Sequence, residues 1–271
     1  MVYIAAGVPR FLIGVVTLAF WPTETGAMLA VAVAALVPVA IGWRALRHRA
    51  PDSSSGDHAA RRILVETIQN VSALFAFFAL SNIDVIVARR VLDPHDAGLY
   101  AAGVILTKAV LFLPQFVVVL VFPDLANAED RRSTLLRSLV VVAVLGLLAM
   151  LGAMALPSLA LTFVGGRQYA DIAGHLWMFA VLGTVLSLLQ LLVYAVIARR
   201  GRRSVYAIWA ALVTLTLLGL VVVDTIGELL VVVLAVDATV LVLLLGVSLT
   251  LVDRRDRDNV VPSAGRGDRR A

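Results

Sequence analysis

Residues 63–123 read ILVETIQNVSALFAFFALSNIDVIVARRVLDPHDAGLYAAGVILTKAVLFLPQFVVVLVFP, and the character of the chain follows from them. Two long apolar segments flank the short connection DPHDAGLY. In the first, Glu66, Gln69, Asn70, Phe77, Ser81 and Asp84 recur near the spacing of one helix face. In the second, Tyr100, Val104, Thr107, Lys108, Leu111 and Gln115 do the same. A carboxylate or ammonium in hydrocarbon costs roughly 2.5–3.5 kcal/mol on insertion scales, so such groups face protein or a wet cavity. The hairpin therefore supplies one flank of something polar inside a helix bundle. At about 1.5 Å per residue, Asp84 and Lys108 both lie roughly 12–15 Å below the connecting turn, where they could meet. A structural ion pair, snorkelling side chains and a cavity-lining pair all fit that placement.

Working outward, the composition agrees with membrane helices. The chain has 271 residues, of which 61% are hydrophobic, and a mean hydropathy of +0.96. A soluble domain could not hide so much apolar surface. The apolar runs are long and carry few charges, so they read as helical spans rather than alternating barrel strands. The expected class is all-α, a polytopic membrane protein with about eight spans. There are no cysteines, which excludes disulfides, zinc–thiolate sites and iron–sulfur clusters. The net charge of +5 does not point to nucleic acid, because the arginines cluster in short loops beside the spans. Lys108 is the single lysine, a bias that fits a GC-rich bacterial genome.

Residues 1–43 read as two spans separated by the turn at 22–26, with Arg10 well inside the first. Span one has neither a basic leader nor a small-residue cleavage site, so it is not read as a signal peptide. Residues 44–62, RALRHRAPDSSSGDHAARR, read as a flexible linker in which His48 and His58 are solvated. Residues 63–252 then form a six-helix lobe, beginning with the hairpin quoted above. Asp93 or Asp96 is expected to cap its second helix, and Pro114 to interrupt that helix. A single span is expected over about 138–163, followed by a tight turn at Gly165-Gly166. Span six, 171–198, carries His175, expected to be simply hydrogen-bonded, together with Gln190 and Tyr194. Spans over 205–223 and 228–252 complete the lobe, and Asp237 lies within the last with no evident partner. The tail, 253–271, reads as disordered.

Counting basic residues orients the chain. The loops 44–62, 124–137, 199–203 and 253–271 hold 18 arginines, and the alternating set holds only Arg89, Arg90 and Arg167. By the positive-inside rule the first set is cytoplasmic, as are both termini, in the plasma (inner) membrane of a bacterium.

Three segments carry a resemblance. NIDVIVARRVLDPHDAGLYAAGVILTK resembles the start of the second lobe in polysaccharide flippases of the multidrug/oligosaccharidyl-lipid/polysaccharide exporter superfamily. LPQFVVVLVFPDLA resembles the end of the next helix, and LTFVGGRQYADIAGHLWMFAVLGTVLSLLQLLVYAVIARRGRR the later helix pair. Together they cover roughly residues 63–250. The family is built of two six-helix lobes about a central cavity. The resemblance implies that residues 63–252 form one lobe and 1–43 the last two helices of the other, with four helices lacking. It also implies either a truncated reading frame or reliance on a homo-oligomer or partner lobe, since a lone lobe would show its polar stripe to lipid.

The function so implied is movement of a lipid-linked saccharide or polysaccharide precursor across the membrane by alternating access. The implied cavity residues are Arg10, Glu66, Gln69, Asn70, Asp84, Lys108 and Gln115, with Arg10 and Lys108 on the anionic pyrophosphate. Two alternatives stand beside it. One is a cation-coupled drug or metabolite antiporter of the same superfamily, coupled at Asp84 or Asp237. The other is a non-transporting membrane subunit of a cell-envelope assembly. No cofactor or metal is expected beside the substrate and the membrane lipids. An enzyme is not expected either, as the one Asp-x-Asp at an aqueous face is Asp256-Arg257-Asp258 in the basic tail.

Overall fold

The computed structural model describes residues 57–125, 131–198 and 202–260. Before these it describes 12–17, 19, 23, 25, 26, 29, 30, 32–34, 36 and 37. The chain divides into two units, Met1–Arg62 and Ile63–Ala271. In the first, residues 12–17 are helical, and Thr23 Oγ1 accepts the N–H of Gly26 at 3.2 Å in the turn that separates the two apolar runs.

The described residues of the second unit are helices joined by short turns. Its elements are α1 (Asp57–Val91), α2 (Pro94–Leu125), α3 (Arg131–Ala155), α4 (Pro157–Val164), a 3₁₀ helix (Arg167–His175), α5 (Leu176–Ala198), α6 (Arg202–Val222) and α7 (Ile226–Val260). Five stretches among the described residues are long and apolar enough to cross a membrane: Thr67–Val91, Leu135–Ala155, Arg167–Ala195, Val205–Val222 and Ile226–Ser248. The chain is an all-α, multi-pass membrane protein.

The turns follow local chemistry. Asp93 Oδ1 accepts the N–H groups of His95 (2.8 Å) and Asp96 (3.0 Å), with Pro94 in the first helical position of α2. Between α6 and α7, Glu228 Oε2 accepts the N–H groups of Asp224 (2.8 Å) and Thr225 (3.1 Å). Thr225 Oγ1 accepts the Glu228 N–H in return, at 3.3 Å. This is a reciprocal capping box, written in the sequence as Thr-Ile-Gly-Glu. After α4, Gly165 (φ 135°) and Gly166 (φ 95°) make the expected turn, both donating to the Leu161 carbonyl.

Other expectations are corrected. The single span over 138–163 is two helices, because Leu156 before Pro157 takes φ −128°, ψ 60° and breaks the ladder. α2 passes through Pro114 without ending. α1 begins at Asp57, inside the expected linker, and α7 runs to Val260, inside the expected tail.

α5 is the hub, packing against α2, α3 and α7. Its span is 61% buried against 17% for α3, whose apolar surface faces outward. Glycine lets the helices close. A Cβ on Gly183 would stand 2.6 Å from the Thr107 carbonyl oxygen and 2.7 Å from Val110 Cβ. Gly103 lies against the ring of Phe179 and Gly146 against Thr184. Small residues at crossings are the usual currency of helix packing in membranes, where lipid tails are as apolar as leucine.

Candidate functional site

The polar groups of the hairpin converge where α1, α2 and α7 approach one another. Ser81 and Asp84 sit one turn apart on the buried face of α1, and Tyr100, Thr107 and Lys108 on the facing side of α2. The Tyr100 hydroxyl donates to Asp84 Oδ2 at 3.0 Å, and both side chains are buried. The Tyr100 ring is held edge-on by Phe179 of α5, with centroids 5.3 Å apart. Lys108 Nζ donates to the backbone carbonyl of Ser81. Thr107 Oγ1 donates to the carbonyl of Phe179 at 2.9 Å, tying the hairpin to the hub.

Asp237, on α7, is buried and lies within electrostatic range of both Lys108 and Asp84. Neither of its carboxyl oxygens has a hydrogen-bond partner, and Asp84 Oδ1 has none either. The cluster thus gathers two acidic side chains, one lysine and one phenol in an apolar bundle, with three carboxyl oxygens unsatisfied. An arrangement of this kind can take up a small cation or a proton, or hold a polar ligand that supplies the missing contacts.

Of the residues named from sequence, the structure brings Asp84, Lys108 and Asp237 together and places Gln69 and Asn70 apart from them. Asp84 and Lys108 do not form a direct ion pair, contrary to the simplest reading of their matching depth. The helices are antiparallel, so the long lysine chain reaches one turn farther along α1, to the Ser81 carbonyl, while Tyr100 takes Asp84. Gln69 is half-buried and Asn70 exposed, roughly 21–23 Å along α1 from Asp84 at 1.5 Å per residue. Arg10 lies outside the described residues, as do the side chains of Glu66 and Gln115. Along the expected polar stripe, Asp84 is buried, Gln69 and Lys108 are half-buried and Asn70 is exposed. Ser81, Asp84, Thr107 and Asp237 are each at most 3% exposed.

Tyr100 was visible on the polar face, but its pairing with Asp84 had no signal in the spacing. His175 departs from expectation: its Nδ1 is buried without a partner, and its Nε2 faces Gly227 across the mouth of the last hairpin. His95 Nε2 lies 3.4 Å from Asp171 Oδ2, both exposed, a contact between the α2 start and the 3₁₀ helix that sequence reading passed over. Gln190 and Tyr194 simply bond each other along α5, at 3.1 Å. Among the described residues no group of His, Cys, Asp or Glu is gathered that could hold a metal ion. No family model, curated protein or solved structure matches this chain.

Proposed function

We propose that this chain is a transporter of the polysaccharide-flippase type, moving a lipid-linked saccharide or polysaccharide precursor across a bacterial inner membrane by alternating access. The observation that carries the reading is the Asp84–Tyr100–Lys108–Asp237 cluster, buried at Asp84, Tyr100 and Asp237 and half-buried at Lys108, whose unsatisfied carboxyl oxygens lie within membrane-spanning helices. Ionisable groups at that depth are expensive and are kept where a pathway uses them. The resemblance of residues 63–250 to the second lobe of such flippases supplies the substrate class. Lys108 is the cation for the pyrophosphate, and the two aspartates set the charge it must balance. Transport of this kind forms no covalent bond, so no catalytic constellation is needed.

A cation-coupled antiporter is the second reading, favoured by the two partnerless oxygens of Asp237. A proton or sodium ion there would supply the contacts the protein does not.

The test uses the full chain in proteoliposomes with a fluorescent polyprenyl-pyrophosphoryl saccharide whose sidedness is read by quenching. The wild type is expected to accelerate flipping, and Lys108→Met and Asp84→Asn to abolish it. A wild-type rate equal to empty vesicles removes the flippase reading. Sodium- or proton-driven efflux lost only in Asp237→Asn supports the antiporter instead.

A further inference from the structure

Away from the polar cluster, side chains of α1 and α6 line an open groove of about 610 Å³. Its walls are apolar: Ile83 and Val87 from α1, Leu220 from α6, and Thr216, whose hydroxyl is already spent on the Leu212 carbonyl at 2.8 Å. Beside it α6 closes on α1 at Gly219, where Val87 comes to 2.6 Å from where a Cβ would stand. Arg89 and Arg90 line the end of the groove, in the last turn of α1.

Those two arginines are out of place by the logic of the rest of the chain. They are two of the three basic residues in the loop set that holds few, against 18 in the other set. The negative end of the α1 dipole favours a cation there, yet it leaves the guanidinium donors free. Neither side chain makes an ion pair or hydrogen bond with another described residue. Two unpartnered guanidiniums at the end of an apolar trough complement a phosphate that carries a hydrocarbon tail. Basic pockets between membrane helices recognise lipid head groups in this way.

We propose that this groove is a binding site for an anionic glycerophospholipid of the surrounding bilayer. Its phosphate sits on Arg89 and Arg90, and one acyl chain lies along Val87, Ile83 and Leu220. The walls run from Ile83 to Arg90, roughly 10 Å at 1.5 Å per residue. That length suits the part of an acyl chain next to the glycerol. The inference needs only that the chain spans a membrane, and so stands or falls separately from the transport reading.

Native mass spectrometry of the delipidated full chain tests it, with palmitoyl-oleoyl phosphatidylglycerol and phosphatidylcholine as probes. Phosphatidylglycerol is expected to bind roughly tenfold or more tightly than phosphatidylcholine, as two near-surface arginines warrant. R89Q/R90Q should bring the two lipids level, R89K/R90K should keep most of the preference, and L220W, which fills the trough, should weaken both. Equal binding to the wild type overturns the proposal, as does a preference that survives R89Q/R90Q. A polyprenyl phosphate that displaces phosphatidylglycerol with about tenfold higher affinity also overturns it, and assigns the groove to the substrate. Should R89Q/R90Q fail to fold, L220W decides: undiminished phosphatidylglycerol binding in it places the lipid elsewhere.

Discussion

Tyr100→Phe is the smallest change that reaches the polar cluster. It removes the hydroxyl that donates to Asp84 and leaves both carboxyl oxygens of that residue without a side-chain partner. A loss of about 1–3 kcal/mol is expected, measured by thermal unfolding of the purified chain in detergent. Asp84→Leu combined with Tyr100→Phe should recover much of it, because replacing both partners removes the stranded group as well. An unchanged melting curve for Tyr100→Phe would show that the hydrogen bond does not contribute. Lys108 is coupled to its acidic neighbours through space rather than by contact. A double-mutant cycle of Lys108→Met with Asp84→Asn should therefore give about 0.5–3 kcal/mol of coupling, less than the roughly 3–5 kcal/mol seen when a buried contact pair is broken. Strict additivity would mean that Asp84 does not sense the ammonium at all.

At the scale of helices, glycine separates packing from propensity. Gly183→Ala drives a methyl into the Thr107 carbonyl and Val110, where α2 crosses α5. It should lower stability by about 1–3 kcal/mol, since backbone cannot step aside as a side chain can. Gly152→Ala meets nothing within 4 Å and should be neutral, or stabilising by up to about 1 kcal/mol. The same thermal assay compares them, and equal melting temperatures for the two variants would refute this account of the α2–α5 crossing. Much at this scale was legible beforehand. The Asp93-Pro94 start of α2 and the Gly165-Gly166 turn are written in residues with a single conformational use. The break before Pro157 was not, because residues 138–163 are apolar on every side and periodicity has nothing to count. Rise per residue places Asp84 and Lys108 at similar depth, whereas the structure sets Tyr100 on Asp84 and Lys108 on the Ser81 carbonyl. Those partners could not be read beforehand, because local spacing does not encode how α1 is rotated against α2.

For the molecule as a whole, the arginine asymmetry yields the topology prediction. The chain lacks cysteine, so single-cysteine variants report without background. His95→Cys and Gln168→Cys should react with a membrane-impermeant maleimide in intact spheroplasts, and Ser54→Cys only after lysis. The reverse pattern would invert the map. Asp237 shows the limit of reading along the chain: its place beside Lys108 depends on how α7 returns to the hairpin, and no local pattern announces that return.

The register of the hairpin also bears on how the protein enters the membrane as it is made. Tyr100 with Asp84, and Lys108 with the Ser81 carbonyl, are contacts between consecutive helices. Once α2 has left the ribosome, the costliest side chains of the pair can already shield one another from the lipid. Asp237 emerges later, by on the order of ten seconds at usual synthesis rates. The hairpin can thus partition as one internally hydrogen-bonded piece, and the last helix delivers its acid to a pocket whose cation is waiting.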